Sequence, residues 1–144
     1  MTYVAPPVPT QRSFVLIKPD AVRRGLAGAI ISRFESKGLS MVAMELRQMT
    51  GELADQLYAE HLERPFYPPL RLFVMSGPSV AMVLEGDEAI DVVRTINGAT
   101  DGRKAAPGTI RGDFALSNRE NLVHGSDSLE SAKREIALWF PDLS

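Results

Sequence analysis

Apolar residues recur along the chain with two alternating rhythms. Phe14-Val15-Leu16-Ile17 is a continuous apolar run stopped by Lys18-Pro19-Asp20, as in a buried strand that ends at a turn. From Ala21 to Lys37, the residues Val22, Leu26, Ala29, Ile30 and Phe34 fall at helical spacing, and Gly38 suits the position just past a helix end. Leu39 to Met49 alternates unevenly, as a half-buried strand would. Thr50 can cap a helix carrying Leu53, Leu57 and Tyr58 to about Leu62. The run Arg64-Pro65-Phe66-Tyr67-Pro68-Pro69 breaks that helix before a shorter helical piece to about Met75. Val80 to Leu84 predicts another buried strand, and Glu88 to Asn97 a helix turned inward at Ile90 and Val93. Gly98 to Glu120 holds no sustained period and includes Gly98, Gly102, Pro107, Gly108 and Gly112. So long a structureless stretch in a compact domain is, as a rule, functional or disordered. Asn121-Leu122-Val123-His124 reads as a short strand, and Asp127 with Glu130 as a capping box for a last helix through Trp139.

This order predicts an α+β fold close to βαββαβ, the ferredoxin-like arrangement. A four-stranded antiparallel sheet would be covered by helices, with the long loop inserted before the last strand. A chain of 144 residues fits one domain. The Ala5 to Pro9 stretch marks residues 1–11 as a flexible Pro-rich tail and leaves 12–144 as the domain.

Composition narrows the chemistry. The net charge of -2 gives no global sign of a nucleic-acid or membrane-surface binder. No cysteine is present, which excludes a disulfide scaffold, a thiolate metal site and a cysteine nucleophile together. No apolar run approaches the roughly 18 residues of a membrane span. Met1 to Gln11 lacks the features of a signal peptide. The expectation is a cytoplasmic protein.

Two histidines remain for covalent or acid-base work. His61 falls at the polar end of a helix, where a solvated residue helped by the helix dipole is the ordinary reading. His124 leaves a strand just before a helix begins, and a helix start favours an anion such as phosphate. A strand-end histidine can equally be structural. Glu135 lies on the same side of the last helix as Ser128 and Ser131. It is either a surface carboxylate or one that binds an imidazole nitrogen and frees the other to attack. Between Arg94 and Arg119, the basic residues Arg94, Arg103, Lys104, Arg111 and Arg119 outnumber the acidic Asp101 and Asp113. With glycines allowing close backbone approach, this stretch is either a solvated loop or an anion site. No Walker pattern GxxxxGK[ST] and no GxGxxG occurs.

The same residues resemble the nucleoside diphosphate kinase family. Asn121-Leu122-Val123-His124-Gly125-Ser126-Asp127-Ser128 is similar to its active-site signature. Lys18-Pro19-Asp20, Arg64-Pro65-Phe66-Tyr67, Ser76-Gly77-Pro78 and Pro107-Gly108-Thr109-Ile110-Arg111-Gly112-Asp113-Phe114 follow the family pattern in order. The resemblance runs from about Arg12 to Phe140. It implies transfer of the γ-phosphate of a nucleoside triphosphate to a nucleoside diphosphate, by a ping-pong route through phosphohistidine on His124. By the same resemblance, Glu135 holds the His124 ring and Ser126 supports that carboxylate. Arg94, Thr100 and Arg111 bind phosphates, Lys18 and Asn121 reach the sugar hydroxyls, and Tyr58 lies beside the catalytic centre. Phe66 stacks on the base, so broad base specificity follows. Asp127 resembles the carboxylate that approaches Mg2+ through water. A homo-oligomer is implied, a hexamer ahead of a tetramer.

Two features depart from the pattern. Asp101-Gly102 stands where many members carry asparagine or aspartate followed by proline, in a loop used for subunit contacts. A glycine there predicts a more flexible loop. The end at Ser144, shortly after Trp139-Phe140-Pro141, is similar to bacterial members rather than animal ones. The alternative function is a non-catalytic, nucleotide-binding regulatory protein on the same scaffold, which loss of the histidine or of a phosphate-binding arginine would favour. A nucleic-acid module would need exposed aromatics on the central strands, whereas Phe14 to Ile17 and Val80 to Leu84 are almost purely aliphatic.

Overall fold

The computed structural model describes residues 1–4 and 10–143. Strand β1 (Thr10–Ile17) is the second strand from one edge of a four-stranded sheet of order β2-β3-β1-β4, with β2 at Ser40–Gln48, β3 at Pro78–Asp87 and β4 at Val123–Gly125. All three pairings are antiparallel. With the helices between them, this is the ferredoxin-like βαββαβ order.

Phe14 to Ile17 are completely buried because both faces of β1 are covered. Val15 and Ile17 join Met82 and Leu84 under α1 (Pro19–Arg23), α2 (Ala27–Lys37) and α5 (Ala89–Asn97), which contribute Ala21, Ile30, Phe34 and Val93. Phe14 and Leu16 face the opposite way, toward Ala54 and Leu57 of α3 (Gly51–Leu57), Tyr67 and Val74 of α4 (Tyr67–Val74) and Trp139 of α7 (Leu129–Trp139). Successive strand residues point to opposite faces, so a doubly covered strand must be apolar throughout. Burying such side chains stabilises the fold by about 1.5–3 kcal/mol each.

Several sequence expectations shift in detail. The strand begins at Thr10, where Thr10 and Gln11 pair with Asp87 and Gly86, so these two residues belong to the sheet rather than to the tail. Residues 5–9 of that tail lie outside the described residues. The helix expected over Ala21–Lys37 is two, because Gly25 takes a φ of 70° that interrupts the helical ladder, and Pro19 sits in the first turn of α1. Thr50 caps α3 as expected, its side chain accepting from Leu53 N. That helix ends at Leu57, and His61 closes a separate 3-10 turn, Ala59–His61. The long loop contains a short helix, α6 (Ile110–Phe114), capped by Thr109. The cap of α7 is Ser128 rather than Asp127, since the inward positions Ala132, Glu135 and Trp139 set where the helix starts.

Gly102 is held more tightly than its type suggests. Its N–H donates to the Ser117 carbonyl at 3.1 Å, and a Cβ there would meet the Cβ and carbonyl oxygen of Ala115 at 2.5 Å. The loop is packed at the glycine, not loosened by it.

Candidate active site

Register brings His124 to the site. It pairs with Leu16 across the β1–β4 ladder, so its ring lies on the Phe14/Leu16 face, with the Phe14 ring centroid at 6.1 Å. Helix α7 folds back over that face. Its buried Glu135 accepts from the Ser126 hydroxyl at 2.7 Å through Oε1 and meets His124 Nε2 at 3.1 Å through Oε2. Ser126 Oγ in turn accepts from the Phe14 backbone N–H at 3.0 Å. A carboxylate partner takes the protonated Nε2, which leaves Nδ1 as the ring nitrogen with a free lone pair. The chain Phe14–Ser126–Glu135–His124 therefore fixes both the angle of the ring and its tautomer.

A strained turn precedes the strand. Leu122 is buried at a φ of 76°, a conformation costing about 1–3 kcal/mol for a residue other than glycine. It is held from both sides: its N–H donates to Asp20 Oδ2 at 3.1 Å, and its carbonyl accepts from Lys18 N at 2.8 Å. Lys18 Nζ also donates to Asn121 Oδ1 at 2.7 Å, and Asn121 Nδ2 donates to the Thr100 carbonyl at 2.9 Å. Burial lowers the Lys18 ammonium to about 8, with the Arg111 charge adding to the effect and Asp20 opposing it. Burial likewise raises the Asp20 carboxyl, against the pull of Lys18. The role of Asp20 as a brace for this turn was not visible in the sequence, because its partner lies 102 positions away.

Arg111 rises from α6 into the same space. Its guanidinium donates to the carbonyls of Gly98 at 2.8 Å, Asn121 at 3.2 Å and Val123. Desolvation first, and then the charge of the neighbouring Arg94, lower it to about 10. Two guanidiniums and a buried ammonium lie together on this side of the cavity, none of them in an ion pair with a carboxylate within 4 Å among the described residues, and such a cluster suits a polyanion. Tyr58 stands on the opposite wall, its hydroxyl unpartnered and its acidity suppressed by burial and by the Glu135 charge.

These groups enclose a cavity of about 310 Å³ lined by Lys18, Tyr58, Arg94, Thr100, Arg111 and Asn121, together with His124, Asp127 and Glu135. Ser126 lies behind Glu135 rather than in the wall. Phe66, half exposed, belongs to an adjoining recess with Leu70 and Leu116, which shares Lys18, Thr100 and Asn121 with the first. The candidate residues of the sequence thus converge on one continuous cleft. His61, Glu60, Asn97 and Arg134 also line it and were not anticipated. His61 reaches it because the break after Leu57 turns its ring toward Phe66, with centroids 5.4 Å apart.

Among the described residues no group of three His, Asp or Glu side chains could hold a metal ion. Asp127 is, with Glu60, an exposed carboxylate at the cavity, and it is kept ionised first by Ser131 and then by the charge of Arg94. Such a donor set suits a divalent ion carried largely by a bound polyphosphate, and not a metal caged by protein.

Comparison with known proteins agrees with this geometry. The nucleoside diphosphate kinase family model matches residues 11–144. A nucleoside diphosphate kinase of Nocardioides sp. is 71% identical over 132 residues, covering 92% of this chain and 98% of its own. That of Rhodococcus erythropolis is 62% identical over 136 residues, covering 94% and 98%. A nucleoside diphosphate kinase of Halobacterium salinarum, solved in complex with CDP, superposes with a TM-score of 0.90 at 50% identity over 92% of this chain and 88% of that one. The enzyme of Encephalitozoon cuniculi, solved without ligand, gives 0.91 at 39% identity over 93% and 92%. On its sequence and its fold, this chain belongs to the nucleoside diphosphate kinase family.

Proposed function

We propose that this phosphotransferase moves the γ-phosphoryl group of a nucleoside triphosphate, typically ATP, to a nucleoside diphosphate in two steps on His124. The observation that carries the reading is the 3.1 Å contact between Glu135 and His124 Nε2, beneath a cavity lined by Arg94, Thr100 and Arg111. In the first step Nδ1 attacks the γ-phosphorus. The N–P bond forms as the bond from phosphorus to the β,γ-bridging oxygen breaks, and the nucleoside diphosphate leaves with that electron pair. Glu135 stabilises the positive charge that develops on the ring. In the second step a terminal β-phosphate oxygen of another nucleoside diphosphate attacks the phosphorus, and the electron pair returns to Nδ1.

Phosphoryl transfer asks mainly for alignment and neutralisation of oxygen charge. Arg94, Arg111 and Thr100 serve the phosphates, while Lys18 and Asn121, already joined at 2.7 Å, present a polar edge to the sugar hydroxyls. Tyr58, its hydroxyl buried and unpartnered and its ring under the influence of the Glu135 charge, borders the catalytic centre. Phe66 offers an exposed ring to any base. Mg2+, held by the nucleotide phosphates and approached by Asp127 through water, would supply further neutralisation. A cytoplasmic enzyme is part of this reading; separately, no helix among the described residues is long and apolar enough to cross a membrane.

A homo-oligomer fits the surface, and a hexamer is the form we favour over a tetramer. Strand β2 is a sheet edge with the apolar side chains of Met44 and Leu46 more than half exposed, the kind of edge that proteins cover.

The test is a two-step labelling experiment. Protein incubated with magnesium and ATP labelled at the γ-phosphate should carry acid-labile, base-stable label, which unlabelled GDP then removes as GTP. His124→Ala should stay folded and take up none. Undiminished steady-state transfer by pure His124→Ala would refute the route. Nucleotide binding without label on the natural chain would favour the regulatory alternative.

A further inference from the structure

We propose that Arg119 reads the edge of the bound base and biases the enzyme toward guanine nucleotides, an inference that rests on the nucleotide reading of the cleft. The phosphate end of the cleft is set by His124, Arg94 and Arg111. The recess containing Phe66 joins it through Lys18, Thr100 and Asn121, so a nucleotide running outward places its base between Phe66 and Leu116. Stacking on those apolar groups does not distinguish one base from another. The rim of the recess is polar, however, and carries Arg103, Asn118 and Arg119.

Of the three cations that line the recess, two are engaged. Lys18 is bound to Asn121, and Arg103 is paired with Asp101 at 2.7 Å. The Arg119 guanidinium is exposed and, among the described residues, hydrogen-bonds nothing; only its backbone N–H is used, donating to Ser117 Oγ at 3.2 Å. That same oxygen accepts from Glu120 N at 3.1 Å, and the Asn118 carbonyl accepts from Asn121 Nδ2 at 3.0 Å. The backbone bearing Arg119 is therefore tied to the residue that faces the sugar, while the side chain stays available.

A guanidinium fork matches two adjacent acceptors. Guanine offers O6 and N7 together, whereas adenine pairs its N7 with an N6 donor that opposes the fork. Because Arg119 is exposed, the preference is modest, about two- to fivefold.

The experiment compares kcat/KM for GDP, IDP, 7-deaza-GDP and ADP as acceptors, with one common donor. GDP and IDP share O6 and N7 and should exceed ADP by about two- to fivefold. The 7-deaza compound should fall back toward ADP. Arg119→Ala should collapse the GDP/ADP and IDP/ADP ratios, and Arg119→Lys should restore them only in part, since it keeps the charge and loses the fork. Unchanged ratios in Arg119→Ala, or full restoration by lysine, would overturn the inference while leaving transfer itself intact. Absence of transfer to every acceptor would instead count against the nucleotide reading on which it stands.

Discussion

The Ser126 hydroxyl lies 2.7 Å from Glu135 Oε1 and is itself anchored by the Phe14 backbone, so the carboxylate that meets His124 is tied directly to the central strand. This relation separates charge from position. Glu135→Gln preserves shape and removes the charge proposed to stabilise a phosphorylated ring, and kcat should fall about 10- to 100-fold with KM little changed. Ser126→Ala leaves the charge and frees the carboxylate to drift. It should lower kcat less and reduce stability by about 1–3 kcal/mol, read by urea unfolding, because buried polar atoms lose partners. Wild-type turnover by Glu135→Gln would remove Glu135 from the mechanism.

Lys18 predicts a pH dependence with opposite signs for binding and for stability. Its folded value is about 8, below the ordinary 10.5, so it loses its charge as the pH passes through about 8. Nucleotide KM should rise over that interval, and Lys18→Met should flatten the profile at a uniformly higher KM. Stability follows the other course. Between about 8 and 10.5 the unfolded chain still holds a proton that the folded chain has released, so this group's contribution to stability increases with pH. A KM that stays level from pH 7 to 9 would show that the ammonium does not contact the nucleotide.

Gly102 should tolerate nothing larger. Gly102→Ala places a methyl group 2.5 Å from Ala115 and should destabilise the protein by about 1–3 kcal/mol, lowering its Tm. Gly102→Pro should do at least as much, since it also deletes the N–H that reaches Ser117. The strain would pass to Thr100, two residues away, so nucleotide KM should rise in both variants. Unaltered melting of Gly102→Ala would mean that the loop yields where the packing says it cannot.

Much of this protein was legible along the chain. The apolar run Phe14 to Ile17 required a strand covered on both faces, and the helical spacing of Ile30 and Phe34 required a helix packed on it, because burial and backbone period are local properties of sequence. His124 at a strand end and the basic residues around Arg111 were identifiable as chemistry, and the family resemblance attached roles to them. Local signals were weaker at boundaries. Gly25 split a helix whose apolar spacing runs on without interruption, and Thr109 capped a helix too short to show a period.

What the sequence by itself determined was the inventory: which segments are buried, in what order, and which side chains are candidates for binding or attacking phosphate. Their convergence was decided only by tertiary structure. Lys18 and Asn121 meet although 103 positions separate them, because β4 lies beside β1. His124 meets Glu135 because pairing with Leu16 sets the face of its ring and the covering of that face by Trp139 sets the path of α7. Hydrogen-bond geometry depends on distances of a few tenths of an ångström between distant segments, and no local pattern of residues encodes that.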